Sequence, residues 1–239
     1  MSANLIAECP NHLLGLLPAG EKASLLAQME RVETPFGMRI CDQDQRLDWA
    51  WFPCSGEHSI IKLMADGSQV ETGTVGREGM SPVELLMGGE LALQTIDCQI
   101  PGESLRMSAP AFREALRTMP GLQRICQRYQ QAYLSLVSQS VACNRLHNLE
   151  QRLARWVLMS ADRVGQPEFQ LTQYYLATML GVQRPSVSLA AQALQQRGLI
   201  RYSRGQMQVL DRPGLEQASC ECYHLVRERY RSLLGVDIG

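Results

Sequence analysis

The sequence predicts an α+β fold in three successive parts: a jelly-roll-like antiparallel β-roll, one long helix, and a C-terminal helical domain with a small β-hairpin. Short apolar runs separated by turn residues fill positions 36–107. After Gly121, positions up to 146 contain neither glycine nor proline. From 171 to 210, two short helical patterns precede an alternating stretch. The period of the apolar residues thus changes between about two and about 3.6 along the chain.

Composition excludes several classes of protein. Of the 239 residues, 45% are hydrophobic and 20% are charged, which is ordinary globular usage and excludes a disordered tail. No run approaches the roughly 18 apolar residues that span a bilayer, and residues 1–10 lack the pattern of a secretion signal. We therefore expect a cytoplasmic protein with no membrane partner.

The first domain is predicted over residues 1–118. Between the apolar runs at 59–64 and 69–72 stands Asp66-Gly67, a pair that favours a tight hairpin with both central residues at positive φ. Similar turn residues separate the other runs. This alternation predicts a compact antiparallel β-roll or barrel.

The second part, residues 119–147, is predicted to be a long dimerisation helix. Its apolar residues recur at steps of three and four, the spacing of a coiled-coil seam. The candidate dimer-interface residues are Leu122, Ile125, Tyr129, Ala132, Leu136 and Cys143. A helix buried within its own domain is the alternative. A second apolar set favours a helix that is covered on two sides, by a partner and by the β-roll: Cys126, Tyr133, Val137 and Val141.

The third part, residues 148–239, carries the pattern of a helix-turn-helix. Thr172 can cap a short helix that Gly181 closes in the left-handed conformation. Pro185 suits the first turn of the following helix, which stops at Gly198. Alternating residues then form a small hairpin, the wing. The sequence therefore predicts a winged helix-turn-helix.

Positive charge is concentrated on this motif. The whole chain has a net charge of −1, but residues 171–210 contain Arg184, Arg197, Arg201 and Arg204 and no carboxylate. Such a window repels itself unless a polyanion contacts it, so we predict double-stranded DNA as a partner. The alternative is an ordinary helical pair whose arginines lie on a solvated face.

The candidate DNA-contacting residues lie at the starts of the two helices and in the wing. In a helix-turn-helix, these positions meet base edges and phosphates at the major groove. They are Thr172, Gln183, Arg184, Pro185, Ser186, Val187, Ser188, Arg201 and Arg204.

One ordered set of residues carries a resemblance to a known family: Leu171-Thr172, Ala177, Leu180-Gly181, Arg184, Ser186-Val187, Leu194, Gly198-Leu199-Ile200 and Gly205. This set resembles the DNA-binding domain of Crp/Fnr-type transcription regulators, and with the β-roll and the long helix the resemblance covers essentially the whole chain. It implies a cyclic-nucleotide-binding-like β-roll and a homodimer paired through the long helix. It also implies a roughly palindromic DNA site and RNA polymerase as a further partner.

Two positions depart from the pattern of the family. Members often have glutamate where Pro185 stands and arginine where Leu189 stands. Proline offers no acceptor to a base, and leucine offers at most an apolar contact to a thymine methyl group. The preferred DNA sequence therefore cannot be carried over.

Gly76-Arg77-Glu78-Gly79 resembles the loop that holds the phosphate of a cyclic nucleotide in some members of the family. There, backbone N–H groups and a following Arg-Ser pair bind the anion. The pair is missing here, because neither arginine nor lysine stands between Gly79 and Pro101. Gly76, Arg77, Glu78 and Gly79 are the candidate effector pocket. A different ligand or no ligand is favoured over a cyclic nucleotide, for which Arg77 would have to supply the missing cation, and the cofactor is left unknown.

The eight cysteines are scattered, which predicts neither a disulfide framework nor an oxygen-sensing iron–sulfur cluster. Cys9 is the only cysteine near the N-terminus. If their segment is helical, Cys220 and Cys222 point about 200° apart and cannot share an ion. The histidines show no ligand spacing, and no metal site is predicted.

The sequence contains no phosphate-binding, metalloprotease or nucleophile-elbow motif, so it does not predict an enzyme. The predicted function is that of a sequence-specific DNA-binding transcription regulator. The alternative is a small-ligand or redox sensor whose C-terminal domain binds a protein partner.

Overall fold

A computed structural model gives the structure of residues 9–238. Its first part has a short helical start, an all-antiparallel β region and a closing helix. In chain order, these elements are α1 (His12–Gly15), α2 (Ala19–Leu26), β1 (Glu30–Thr34), β2 (Arg39–Cys41), β3 (Trp49–Pro53), β4 (Glu57–Leu63), β5 (Gln69–Val75), a 3₁₀ turn (Val83–Met87), β6 (Thr95–Ile100), β7 (Gly102–Ser108) and α3 (Ala109–Thr118).

The strands of this part form two antiparallel sheets. One has the order β1-β7-β3 and the other β2-β6-β4-β5. Phe52 and Leu105 of the first sheet belong to the main hydrophobic core, and Ile60, Val75 and Ile96 form a smaller core on the second. The predicted antiparallel β-roll is confirmed.

The β4–β5 hairpin turns at the predicted Asp66-Gly67 pair. Leu63 pairs with Gln69, and the Gly67 N–H donates to the Met64 carbonyl at 3.0 Å. Gly67 has φ 83°, whereas Asp66 is not among the residues at positive φ. The loop is therefore a three-residue turn that ends on a left-handed glycine, and the prediction that both residues take positive φ is wrong.

Cys9 and Cys54 form a disulfide that ties the segment before α1 to the end of β3. The sequence did not indicate this pair, because 45 positions separate the two cysteines. Among residues 9–238, the remaining cysteines are free thiols, and all of these except Cys41 are buried. A single link of this kind does not make a disulfide framework.

The long helix α4 covers Pro120–Leu146, close to the predicted 119–147. A carboxylate of α2 holds its first turn: Glu21 accepts hydrogen bonds from the N–H groups of Gly121 at 2.9 Å and Leu122 at 2.8 Å. A negative group is favourable there, because the first N–H groups of a helix have no intrahelical partner and carry partial positive charge.

The predicted dimer face of α4 is covered by its own chain, which corrects the prediction. Ile125 is half-buried, and the other five candidates are buried: Leu122, Tyr129, Ala132, Leu136 and Cys143. Strand β5 approaches so closely that a Cβ on Gly73 would lie 2.8 Å from the Tyr133 hydroxyl. Apolar spacing identified a buried face, but it could not tell which neighbour covers it.

Another side of α4 is exposed and carries large apolar residues. Leu134 is 65% exposed and Val141 is 67% exposed. With Gln127, Gln131 and Ser138, also exposed, they follow steps of four and three along the helix. We call these five residues the α4 stripe. It is an exposed strip of the helix surface that contains large apolar side chains.

The C-terminal part packs helices around a three-stranded sheet of order β8-β10-β9. Its elements are α5 (Leu149–Val164), β8 (Glu168–Gln170), α6 (Gln173–Leu180), α7 (Arg184–Gln196), β9 (Ile200–Ser203), β10 (Gln206–Val209), α8 (Arg212–Ala218) and α9 (Cys222–Leu234). A capping box between Asn148 and Gln151 starts α5, and Gly165 closes it at φ 71°. Helix α9 packs back onto α4.

None of the helices between residues 9 and 238 is both long enough and apolar enough to cross a membrane.

Candidate nucleic-acid interface

Local capping positions the two helices of the predicted helix-turn-helix. The Thr172 hydroxyl accepts a hydrogen bond from the Tyr175 N–H at 3.3 Å and caps α6. Gly181 ends α6 in the left-handed region at φ 60°, and Pro185 lies in the first turn of α7. Gly198 follows the end of α7 at φ 72°. The predicted capping and turn residues are confirmed.

The face of α7 that packs inward is apolar and contains small residues. Val187, Ala190, Ala191 and Leu194 are buried there, as predicted. Val187 was also a candidate DNA contact, and this part of the prediction is wrong. Its side chain is 0% exposed, because it faces α6 and the core rather than solvent.

The outer face at the start of α7 is polar and accessible. Gln183, Arg184, Pro185 and Ser188 are exposed, and Ser186 is half-buried. The Ser188 hydroxyl donates to the Arg184 carbonyl at 3.2 Å, and the Arg184 guanidinium carbon lies 5.5 Å from the centre of the Tyr174 ring. Stacking on an aromatic face orients a guanidinium without neutralising it.

The arginines of this region differ in their partners. Arg197 forms an ion pair with Glu150. Within residues 9–238, no carboxylate oxygen lies at ion-pair distance from Arg184, Arg201 or Arg204. Three of the four predicted cations therefore remain available to an external anion.

The wing is a tight hairpin. Ser203 pairs with Gln206 across a two-residue turn, in which Arg204 has φ 50° and Gly205 has φ 78°. Two positive φ values define the turn that matches the twist of a hairpin. Arg201 donates to the Gln208 side chain at 3.2 Å, and both wing arginines are exposed.

The helix-turn-helix contacts the β-roll at the tip of the β4–β5 hairpin. The Tyr174 hydroxyl donates to the Gln69 side chain at 3.1 Å. Gln99 of β6 donates to the Met179 sulfur at 2.9 Å. A cavity of about 730 Å³ lies between the hairpin and the start of α7 and is bordered by Arg184. The two parts of the chain therefore share an interface beside the candidate recognition helix.

The glycines of the candidate effector pocket make close contacts within the chain. A Cβ on Gly76 would lie 2.7 Å from the Arg163 side chain, and one on Gly79 would lie 2.2 Å from the Tyr129 hydroxyl. These glycines allow the loop to approach α4 and α5. The tight turn that resembled a phosphate loop is thus packed against two helices.

The two charged residues of this loop bind α5. Arg77 donates to the Asp162 carbonyl near the end of that helix at 3.1 Å, and it borders a cavity of about 360 Å³. Glu78 forms an ion pair with Arg163 at 2.9 Å, and Arg163 reaches Glu57 of β4 at the same distance. Arg163, Glu57 and Glu78 are almost fully buried. In this arrangement the loop connects the β-roll to α5.

Glu71 is a further buried carboxylate, on β5. It accepts a hydrogen bond from the Ser59 hydroxyl, and burial, assisted by the nearby Glu57 charge, raises its pKa well above the usual value. A raised folded-state pKa contributes stability that is present below the unfolded-state pKa and lost as the pH rises through the folded-state pKa.

We therefore expect Glu71→Gln to be more stable than the wild type at about pH 8, with the difference shrinking towards about pH 5. Urea unfolding at both pH values measures it. Glu90→Gln is the control, since Glu90 is exposed. Equal pH dependence in the wild type and Glu71→Gln would contradict the prediction.

The C-terminal cysteines do not lie as the sequence suggested. Cys220 precedes α9, and Cys222 is its first residue, so the 200° separation does not apply. The sulfur atoms of Cys220, Cys222 and Cys143 and one ring nitrogen of His147 all lie within 4.8 Å of one another. The argument that excluded a shared ion is therefore wrong. The signal that could have indicated the group is the four-residue spacing of Cys143 and His147 at the end of the predicted long helix, where such a spacing brings two side chains together.

Comparison with known proteins places the C-terminal part in a defined family. Residues 151–218 match the Crp-like helix-turn-helix domain. The transcriptional regulatory protein btr of Bordetella pertussis is 23% identical, and the match covers 88% of this chain and 93% of that protein.

Solved structures share the fold along most of the chain. FixK2 from Bradyrhizobium japonicum matches with a TM-score of 0.69 at 14% identity, covering 80% of this chain and 98% of the other. The c-di-GMP-responsive global regulator CLP of Xanthomonas campestris matches with a TM-score of 0.65 at 15% identity, covering 80% and 99%. These likenesses extend the agreement from the helix-turn-helix to the β-roll and α4. The comparisons therefore show a Crp-like helix-turn-helix domain at residues 151–218 and a shared fold along most of the chain.

Proposed function

We propose that this chain is a transcription regulator of the Crp/Fnr type and that it binds a roughly two-fold symmetric site in double-stranded DNA as a homodimer, with α7 in the major groove and the wing on the adjoining backbone. The observation that supports this most is the charge on one accessible surface. Arg184 at the start of α7 and the wing residues Arg201 and Arg204 are exposed. Since no carboxylate among residues 9–238 pairs with them, phosphates are their natural partners.

The proposed contacts divide by their position. Gln183, Arg184 and Ser188 are exposed at the start of α7, where side chains reach base edges. Pro185 and Ser186 can shape the approach of α7 to the DNA. Thr172 lies at the N-terminus of α6, where N–H groups favour a phosphate. Arg201 and Arg204 would bind backbone phosphates. Val187 is left out, because it is buried.

We propose that two chains pair through the α4 stripe. Leu134 and Val141 are large, apolar and mostly exposed, and steps of three and four let two helices interlock. This pairing would use the face of α4 that the β-roll and α9 leave open. We also propose that the chain divides into a sensor β-roll (1–118), a dimerisation helix (119–147) and a DNA-binding domain (148–239).

Replacing Arg184 by alanine is expected to weaken binding to the preferred site by about 1–3 kcal/mol, which is about tenfold or more. The physical reason is the loss of a guanidinium that contacts a base edge or a phosphate. The site is first selected from a pool of random duplexes, and affinity is then measured by gel shift. Arg229→Ala removes the same charge from an exposed position on α9 and should leave affinity unchanged. Equal affinities for both variants would contradict the proposed placement of α7.

The alternative function, a ligand or redox sensor whose C-terminal domain binds a protein, gives a different salt response. Contact with phosphates releases counterions, so affinity for duplex DNA falls steeply as salt rises. Binding to duplex DNA that is absent, or insensitive to salt, would favour the alternative. A transcription regulator acts at promoters, so we propose RNA polymerase as a further partner. We also propose that the protein acts in the cytoplasm.

A further inference from the structure

Four potential metal ligands meet where the long helix α4 ends. Cys143 lies in its last turn, and His147 follows directly after its last residue. Cys220 and Cys222 come from the segment that begins α9. The three sulfur atoms and one ring nitrogen lie within 4.8 Å of one another. Residues about 75 positions apart in sequence thus converge on one point.

The distances match the edges of a small tetrahedron. The sulfur atoms of Cys143 and Cys220 are 3.5 Å apart, and the Cys222 sulfur is 3.6 Å from Nδ1 of His147. In a tetrahedral zinc site, with Zn–S near 2.3 Å and Zn–N near 2.0 Å, neighbouring ligand atoms are about 3.5–3.8 Å apart. A single ion therefore fits between these side chains with little movement.

Neighbouring groups orient the ligands. Nε2 of His147 lies 3.1 Å from the Glu221 carboxylate. A carboxylate that accepts the Nε2–H leaves the lone pair of Nδ1 facing the sulfurs, which is the usual outer contact of a histidine ligand. The Gln139 amide donates to the Cys222 sulfur at 3.0 Å. These contacts suit an electron-rich sulfur and a fixed imidazole.

A buried cation lies beside the cysteines. Arg155 is 0% exposed, and its hydrogen-bond partner Ser140 lies three residues before Cys143 on α4. Arg155 donates to the Ser140 hydroxyl at 3.1 Å, but within residues 9–238 no carboxylate forms an ion pair with it. A buried charge is costly without a counter-charge. Three thiolates around a divalent ion carry a net charge of −1, which would offset this guanidinium.

We propose that Cys143, His147, Cys220 and Cys222 form a tetrahedral structural zinc site. Thiolate and imidazole ligands select zinc over magnesium and calcium, which prefer oxygen. An iron–sulfur cluster would place several iron and sulfide atoms between the ligands and needs them further apart. With four protein ligands, no position is left for substrate or water, so the role of the ion is structural.

The position of the site gives the ion a mechanical role. It joins the end of α4 to the start of α9, immediately before the capping box that opens α5. Zinc would hold the C-terminal domain against the long helix. Because the ligands come from segments distant in sequence, binding energy would appear as stability of this junction.

The test measures metal without any use of DNA, so its result is independent of the proposed DNA site. The full chain is produced with zinc supplied and kept reduced, and its metal content is determined by mass spectrometry. We expect one zinc ion per chain. Replacement by Co²⁺ should give the intense absorption of tetrahedral cobalt with thiolate ligands.

Variants show whether these residues hold the ion. Cys143→Ala combined with Cys220→Ala should lower metal content by at least about tenfold. Cys126→Ala is the matched control, since Cys126 is a buried free cysteine on the same helix outside the group; it should retain the ion. If the double variant fails to fold, thiol labelling of the wild type tests whether these cysteines hold the ion. Removal of zinc by a chelator should expose three additional thiols.

Three results would overturn the proposal. One is a folded, reduced wild type that contains no zinc and takes up no Co²⁺. Another is equal metal content in the double variant and in Cys126→Ala. The third is a chelator that leaves the number of reactive thiols unchanged. A wild type in which Cys143 and Cys220 form a disulfide and no metal is bound would overturn the proposal in the same way as the first result.

Discussion

Arg163→Leu is expected to lower the free energy of unfolding by about 3–5 kcal/mol, because it leaves two buried carboxylates without their counter-charge. Arg163 is the only residue to which both Glu57 and Glu78 form an ion pair within residues 9–238. All three side chains have exposed fractions of 2% or less. Water therefore cannot replace the guanidinium.

The loss of stability in Arg163→Leu should depend on pH. Burial raises the pKa of Glu57 even in the wild type, where Arg163 opposes the rise. Without the arginine, the pKa of Glu57 rises further. A group with a raised folded-state pKa contributes stability that is lost as the pH increases through that pKa. The deficit relative to the wild type should thus be smaller in acid and larger near neutral pH. Urea unfolding across this range measures both effects.

The control and the rescue separate burial from charge. Arg117→Leu removes the exposed ion pair between Arg117 and Glu114 and should change the free energy of unfolding little, because solvent screens the two charges. Adding Glu78→Gln to Arg163→Leu removes one unpaired charge and should restore part of the stability. If Arg163→Leu costs no more than Arg117→Leu, the buried pairs do not hold the β-roll and α5 together.

Leu134→Asp is expected to convert the proposed homodimer into a monomer and to reduce affinity for a two-fold symmetric site by about 100-fold or more. The substitution places like charges opposite each other along the α4 stripe, in a contact that would otherwise be apolar. A monomer then reaches one half-site only and loses the gain from two linked contacts. Sedimentation gives the mass, and gel shifts with full and half sites give the affinity.

This change should not unfold the chain, since the Leu134 side chain is 65% exposed. Leu136→Asp, on the face that the sequence favoured, would instead unfold it, because Leu136 is fully buried. Leu93→Asp is the matched control: Leu93 is 57% exposed but lies in the β-roll. A dimer of unchanged mass in Leu134→Asp would show that pairing does not use the α4 stripe.

The candidate site was partly predictable because its local geometry depends on neighbouring residues. Thr172 caps α6, Gly181 and Pro185 form the turn, and Gly205 forms the wing. Each depends on backbone preferences within a few positions. The same reasoning could not tell that Val187 turns inward, because burial depends on what packs against α7.

The amino-acid sequence was sufficient to predict the order of elements, the β-roll, the long helix and the helix-turn-helix with its arginines. These follow from apolar period, turn residues and local charge. Three features could be seen only in the folded chain: which face of α4 is covered, that Arg163 pairs with Glu78, and that Cys143 meets Cys220. Arg163 and Glu78 are 85 positions apart, and Cys143 and Cys220 are 77 positions apart. An amphipathic pattern shows that a face is buried, but the partner is chosen by packing between segments distant in sequence.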